Sequence, residues 1–419
     1  MRTEDAYGKY VPPFLLKEER VEKMSYVPQS LNEICGQGVH KIPPQKRYAM
    51  CAELKQLYIP NGNTCRTYDV IYSAICGGIL MKADKRVAQR AYMNRSATAA
   101  THACGHSNGI SSSILGESGV GKTSSISASI SAVSEGAIET ERGVIIPCVL
   151  LETPHDCSVK TLLRNFISVT DSMLGGEHMK EASSPRVSTG ELMHMVGRIA
   201  STSVACIVID EVQLLRLKHG DSLMRFLLSL INTTGVSIVF SGTTDAEEFL
   251  HGEMQMARRT TGIRLSPFAM DMEYEGFMRT LSKYSLTLRP FPMDDRMLKW
   301  FYIHSGGNAS IITQLFIEGQ KEAISSGTES VNIRMMDRIY GELLRGVDPY
   351  IRKNTVKRSG KPPAQKNADA PAPDMDAYFN EAMGIFAAAS KERDAAEYIA
   401  RYLNVEAIDE NVFSKALPL

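Results

Sequence analysis

Between positions 110 and 265, short runs of β-branched and apolar residues alternate with longer stretches in which apolar residues recur every three to four positions. The runs at 110–115, 144–151, 204–209, 236–240 and 263–265 predict strands, and the patterns at 159–169, 191–200 and 221–231 predict helices. Strands alternating with helices in this rhythm predict a parallel sheet covered on both faces, an α/β fold. After Pro267 the strand pattern stops. Residues 271–345 carry helical periodicity broken at Arg289-Pro290-Phe291-Pro292 and at Ser305-Gly306-Gly307-Asn308, which predicts a small all-α lid.

The ends of the chain read differently. Pro-rich loops (Pro12-Pro13, Pro43-Pro44) surround two predicted helices at 45–58 and 68–81, a helical N-terminal extension. Residues 352–373 lose all hydrophobic periodicity and gain Lys, Pro, Ala and Asn, the composition of a flexible linker. Beyond it Tyr378, Met383, Phe386, Tyr398, Ile399 and Leu403 are spaced for an amphipathic helix, which either packs on the body or docks a partner. The expected organisation is therefore 1–100 N-terminal extension, partner or DNA docking; 101–268 nucleotide-binding core; 269–348 lid; and 349–419 basic linker with a C-terminal docking segment.

Composition narrows the class. With 419 residues, 43% of them hydrophobic and 22% charged, the chain suits two or three folded units with a sizeable core. Lys plus Arg and Asp plus Glu number 47 each, so a nucleic-acid partner would need a local basic surface rather than bulk charge. Residues 1–100 hold fifteen basic and nine acidic residues, a net of +6, which suits a solvated extension as well as a contact surface. No apolar stretch reaches the roughly 18–20 residues of a membrane span, and the N-terminus has an acidic pair, Glu4-Asp5, and no apolar core of a leader. The expectation is a cytoplasmic protein with no membrane partner. Eight cysteines (35, 51, 65, 76, 104, 148, 157 and 206) form no Cys-x-x-Cys pair and read as free thiols. His102-Ala103-Cys104-Gly105-His106 lacks the second cluster a tetrahedral metal site needs, and reads as a loop.

The candidate chemistry lies at the ends of the predicted strands. Gly116-Glu117-Ser118-Gly119-Val120-Gly121-Lys122-Thr123 fits G-x-x-x-x-G-K-[ST], follows an apolar run and opens a helical stretch that continues through Ser124. Its glycines allow the backbone to form a nest of N–H groups around phosphates, with the positive end of the next helix behind them. Lys122 supplies a point charge for the β- and γ-phosphates, and the Thr123 hydroxyl suits Mg²⁺. ATP and Mg²⁺ are the expected cofactors.

In Cys206-Ile207-Val208-Ile209-Asp210-Glu211 an apolar strand runs into two acids, which calls for a counter-charge such as nucleotide-bound Mg²⁺. Asp210 is placed on the metal side, and Glu211 to orient and deprotonate the attacking water. In Ser237-Ile238-Val239-Phe240-Ser241-Gly242-Thr243-Thr244 a hydroxyl at the strand end would sit beside the γ-phosphate, Thr243 first and Thr244 behind it; plain strand-end caps look the same. Arg258-Arg259 precedes the last predicted strand, where an arginine could reach a neighbouring subunit's nucleotide, although exposed arginines are more often simply solvated.

The ordered set GESGVGKT, IVIDE, VFSGTT and ARRTTGIRLSPF, followed by a helical lid, resembles the AAA+ ATPases, and within them the TnsC/TniB group of transposition regulators. The resemblance spans roughly residues 68–345 and implies a AAA+ P-loop core. It implies an arginine finger at Arg258 or Arg259, and ATP-driven rings or helical filaments on duplex DNA. It also implies recruitment of a transposase by way of a target-selection protein or an RNA-guided complex, with hydrolysis driving disassembly. Many AAA+ proteins have an arginine at the start of the lid helix. Here Asn308 and Ser310 stand there, so the resemblance does not carry lid sensing of the γ-phosphate to this chain. Origin-recognition or helicase-loading ATPases share the core but usually append a DNA reader, for which 346–419 is short. A signalling ATPase stays open. Asp210-Glu211-Val212-Gln213 also reads as a DExQ helicase box, but a helicase needs a second RecA-like domain that the roughly 150 residues after Leu265 do not provide.

Overall fold

The computed structural model describes residues 10–83, 109–140, 143–217, 220–247, 250 and 260–343. The cluster around Cys104, the Arg258-Arg259 pair and the segment from 344 onwards, with its expected linker and docking helix, lie outside the described residues.

The N-terminal part forms α1 (Lys17–Met24), α2 (Gln29–Gln37), α3 (Pro44–Met50) and α4 (Gly62–Ala83). The core comprises β1 (Ser111–Gly116), α5 (Lys122–Val133), β2 (Ile138–Thr140), β3 (Gly143–Glu152), α6 (Val159–Leu174), α7 (His178–Ala182), α8 (Thr189–Ser203), β4 (Val204–Asp210), α9 (Gly220–Thr234), β5 (Ser237–Gly242) and β6 (Thr260–Leu265). Four more helices follow, α10 (Met272–Ser282), α11 (Asp295–Ser305), α12 (Ala309–Ser325) and α13 (Ile333–Leu343).

The strands form one sheet in the order β2-β3-β4-β5-β1-β6, parallel except for the antiparallel β2–β3 pair. β1, β4 and β5 are buried along their whole length, as strands covered on both faces must be; β4 accordingly reads as a continuous apolar run, while β1 opens on three buried serines, Ser111 to Ser113. Alternate side chains feed two cores. Ile207, Ile209, Ile238 and Phe240 pack with α6, α8 and α9, while Val208, Val239 and Ile114 pack with α4 and α5. Cys148 and Cys206 face each other across β3 and β4, and Cys51, Cys65, Cys76, Cys148, Cys157 and Cys206 are free thiols.

A third core joins α2 and α3 to the four C-terminal helices through Leu31, Met50, Cys51 and Leu54 against Phe291, Phe316 and Met336. Arg47, 1% exposed, fastens this junction with two bonds to the Glu329 carboxylate (2.7 and 2.6 Å) and one to the Leu286 carbonyl (2.9 Å).

The helix expected over 45–58 is shorter than the pattern suggested. It stops at Met50, a single 3₁₀ turn follows at Glu53–Lys55, and Tyr58 is extended, pairing with Tyr26 as an isolated antiparallel bridge. Conversely, the helix expected over 68–81 begins at Gly62. Asn61 caps it by accepting from the Thr64 N–H (3.1 Å), and Thr64 Oγ1 accepts from the Asn61 N–H (3.2 Å).

Candidate functional site

The strand order places β1 between β5 and β6 with β4 one strand further on, so the carboxyl ends of β1, β4 and β5 lie side by side. In an open α/β sheet this is where ligands bind. Gly116 ends β1, and the loop to α5 turns through Gly119 (φ +81°) and Gly121 (φ +89°), conformations that cost a side-chain-bearing residue about 1 kcal/mol or more. Gly121 is the N-cap of α5, so the first N–H groups of a twelve-residue helix open onto the loop.

Lys122 is buried at 6% exposure, and its Nζ donates to the carbonyls of Gly116 (2.9 Å) and Glu117 (3.0 Å). Burial lowers its pKa, while Glu211, Asp210 and Glu117 pull it back up. The ammonium therefore stands in a partly desolvated position with acids around it, where a phosphate would be a strong partner.

Thr123 Oγ1 donates to Asp210 Oδ2 at 2.6 Å, joining the loop to the end of β4 across 87 positions of sequence. Asp210 is 3% exposed; its other oxygen accepts from the Glu211 N–H (2.9 Å), and its carbonyl accepts from the N–H (3.1 Å) and hydroxyl (2.8 Å) of Thr153 at the end of β3. Glu211 leaves the strand at φ +57°, a left-handed conformation whose cost is of order 1 kcal/mol and which tends to occur at functional sites. Its carboxylate accepts from the Gln213 side-chain amide, and the same amide's oxygen accepts from the Thr243 N–H at 3.0 Å, at the tip of β5.

These residues fit Mg²⁺ and a nucleotide. The loop has no room for a Cβ at Gly116, which would lie 2.7 Å from the Leu265 carbonyl, and hydroxyl and carboxylate oxygens already in contact form the hard donor set Mg²⁺ prefers. Among the described residues no group of three His, Cys, Asp or Glu side chains could hold a metal by itself.

The structure thus brings together Gly116, Glu117, Ser118, Gly119, Val120, Gly121, Lys122, Thr123, Ser124, Asp210, Glu211 and Thr243 at one edge of the sheet. Arg258 and Arg259 lie outside the described residues.

Two further residues have a part in this site that residue type and spacing do not reveal. Gln213 was visible only as the fourth letter of a helicase-like box. Asn308 stood out only as a missing arginine, yet it does two things: its Oδ1 caps α12, accepting from Ser310 N (3.1 Å) and Ile311 N (3.3 Å), and its Nδ2 donates to the Ser118 carbonyl at 2.8 Å. Ser310 N also donates to the Gly119 carbonyl (3.1 Å), so the start of α12 rests on the phosphate-type loop.

Residues 107–250 match the family described as AAA domain, and the sheet with its flanking helices is a AAA+ P-loop fold. The match does not reach the narrower TnsC/TniB group. Among solved structures the chain is similar to the ORC1 protein of Aeropyrum pernix in complex with DNA (14% identity, 73% of this chain and 81% of that one, TM-score 0.44). It is also similar to Cdc6p of Pyrobaculum aerophilum (14%, 73% and 77%, TM-score 0.43) and to domain III of the replication initiation protein DnaA of Thermotoga maritima (14%, 69% and 95%, TM-score 0.38). Likenesses of this degree concern the fold alone. No curated protein matches the chain in sequence. Among the described residues no helix is long and apolar enough to cross a membrane.

Proposed function

We propose that the chain is a Mg²⁺-dependent ATPase of the AAA+ type whose nucleotide state controls its assembly on duplex DNA. The observation that carries the ATPase reading is the Thr123–Asp210 contact at 2.6 Å, which sets a loop hydroxyl against a strand-end acid beside a buried Lys122. Gly116 to Ser124 hold the phosphates through backbone N–H groups, and Lys122 adds its charge at the β- and γ-phosphates. Thr123 and Asp210 would hold Mg²⁺, which neutralises charge on the phosphate oxygens. Glu211 orients and deprotonates water, Thr243 reports the γ-phosphate, and Arg258 or Arg259 acts on a neighbouring subunit's nucleotide.

For the DNA-directed role, an origin-recognition or helicase-loader reading stands beside that of a transposition regulator. The transposition regulator, with its transposase and target-selection partners, rests only on the resemblance of motifs. At TM-scores below 0.5 the solved structures carry no weight in this choice, so it falls to experiment.

Electron microscopy with a non-hydrolysable ATP analogue, with and without duplex DNA, tests the assembly. Rings or filaments formed only when both are present support the reading, and a chain that stays monomeric or assembles without regard to DNA contradicts it. Lys122→Ala should abolish both nucleotide binding and assembly.

A further inference from the structure

We propose that Gln213 is a positioning residue that holds Glu211 and ties its placement to the tip of β5. The proposal rests on the reading of Glu211 as the water-activating acid. Gln213 stands on the 3₁₀ turn that follows β4 (Val212–Leu217), next to Val212, which is fully buried in the core under the sheet. From there its amide uses both ends: Nε2 donates to Glu211 Oε2, and Oε1 accepts from the Thr243 N–H at 3.0 Å. Chemistry allows only this orientation, because a carboxylate can only accept and a backbone N–H can only donate.

One planar amide therefore connects the carboxylate to the strand end where the γ-phosphate would be read. Gly242 makes room for it. A Cβ there would lie 2.6 Å from Gln213 Oε1 and push the amide away. Glu211 already sits on a left-handed backbone at φ +57°, and without a bond to its side chain the carboxylate would be free to change rotamer. A displacement of the tip of β5 moves the Thr243 N–H, and with it the amide and the carboxylate. Through Gln213, a change in what touches Thr243 sets when Glu211 is aligned. The four-residue run Asp210-Glu211-Val212-Gln213 thus has a use without a second RecA-like domain.

A turn-stabilising hydrogen bond would look similar, so the test separates folding from rate. Two variants are compared with the wild-type chain in steady-state ATP hydrolysis and equilibrium ATP binding. Gln213→Met keeps the length of the side chain and removes both polar ends; Gln213→Glu keeps the acceptor for Thr243 and sets a like charge against Glu211. Both should lose about tenfold to a hundredfold in kcat, the scale of a misplacement near 1 Å. ATP affinity should stay within about twofold, because the interaction acts on the reacting water and not on the bound nucleotide. Added to Glu211→Gln, Gln213→Met should lower kcat by less than about twofold further, since the two residues act as one unit.

Wild-type kcat in both variants would overturn the proposal. So would a loss of ATP affinity equal to the loss of kcat, or full additivity with Glu211→Gln, because a purely structural bond predicts those results. If Glu211→Gln alone hydrolysed ATP at the wild-type rate, the reading of Glu211 would fail first and this proposal with it.

Discussion

Asn308→Asp separates two tasks that one side chain performs. As N-cap of α12, Asn308 accepts from Ser310 and Ile311, a contribution of about 1 kcal/mol. As a donor it bonds the Ser118 carbonyl at 2.8 Å, which adds about 1 kcal/mol. Asn308→Ala removes both and should destabilise the chain by about 2 kcal/mol. Aspartate caps a helix as well as asparagine, so Asn308→Asp should lose only about half as much stability. It does, however, set a carboxylate against a carbonyl and beside the loop proposed to hold phosphates. A fixed negative charge there costs of order 1 kcal/mol or more, and ATP affinity should fall about tenfold. Urea unfolding measures the first effect, and titration with a fluorescent ATP analogue in the presence of Mg²⁺ measures the second. The diagnostic result is a reversed ranking, with alanine worse for stability and aspartate worse for ATP. If Asn308→Asp bound ATP like the wild type, the contact between α12 and the loop would be irrelevant to the nucleotide.

Arg47→Ala leaves the Glu329 carboxylate without its bidentate partner and should cost about 3–5 kcal/mol by urea unfolding. The Arg47 guanidinium holds Glu329 below the usual carboxylate range, so this stabilisation is present above the unfolded pKa and is lost as pH falls through the folded one; the variant should show a shallower loss on acidification. Lys82 is buried with Nζ bonded to the carbonyls of Ser201 (3.1 Å) and Thr234 (2.8 Å), and burial pushes its pKa down to about 7. Between that value and the usual 10.5 the unfolded chain binds the extra proton, so Lys82 makes stability rise with pH across that window, and Lys82→Met should flatten the rise. Arg258 and Arg259, replaced separately, should give one large loss of hydrolysis with ATP binding retained; two silent variants would refute the arginine reading.

What the sequence made legible were the features that depend on near neighbours along the chain. All five expected strands are present, each with ends shifted by three residues or fewer, and β4, buried on both faces and apolar up to Asp210, leaves the least ambiguity. β2 escaped notice because three residues, Ile138 to Thr140, paired only with β3, make no run. The over-long helix at 45–58 failed where a distant partner decides the backbone, since Tyr58 pairs with Tyr26 and its hydroxyl bonds Ser125 and Thr64. The glycine-rich loop and the Asp210-Glu211 pair announce themselves by residue type and spacing. Asn308 and Gln213 do not, because Asn308 bonds a carbonyl 190 positions away and Gln213 reaches the Thr243 N–H, 30 positions on and just past β5. Only the sheet order and the placement of α12 bring those partners together.

The most direct measurement of the central claim is single-turnover hydrolysis of radiolabelled ATP by the purified chain, with and without Mg²⁺, for the wild type and Glu211→Gln. Hydrolysis by the wild type should require Mg²⁺. Glu211→Gln should lose about two orders of magnitude or more, with ATP still bound. Hydrolysis by Glu211→Gln at the wild-type rate, or a wild-type chain that does not bind ATP, would contradict it.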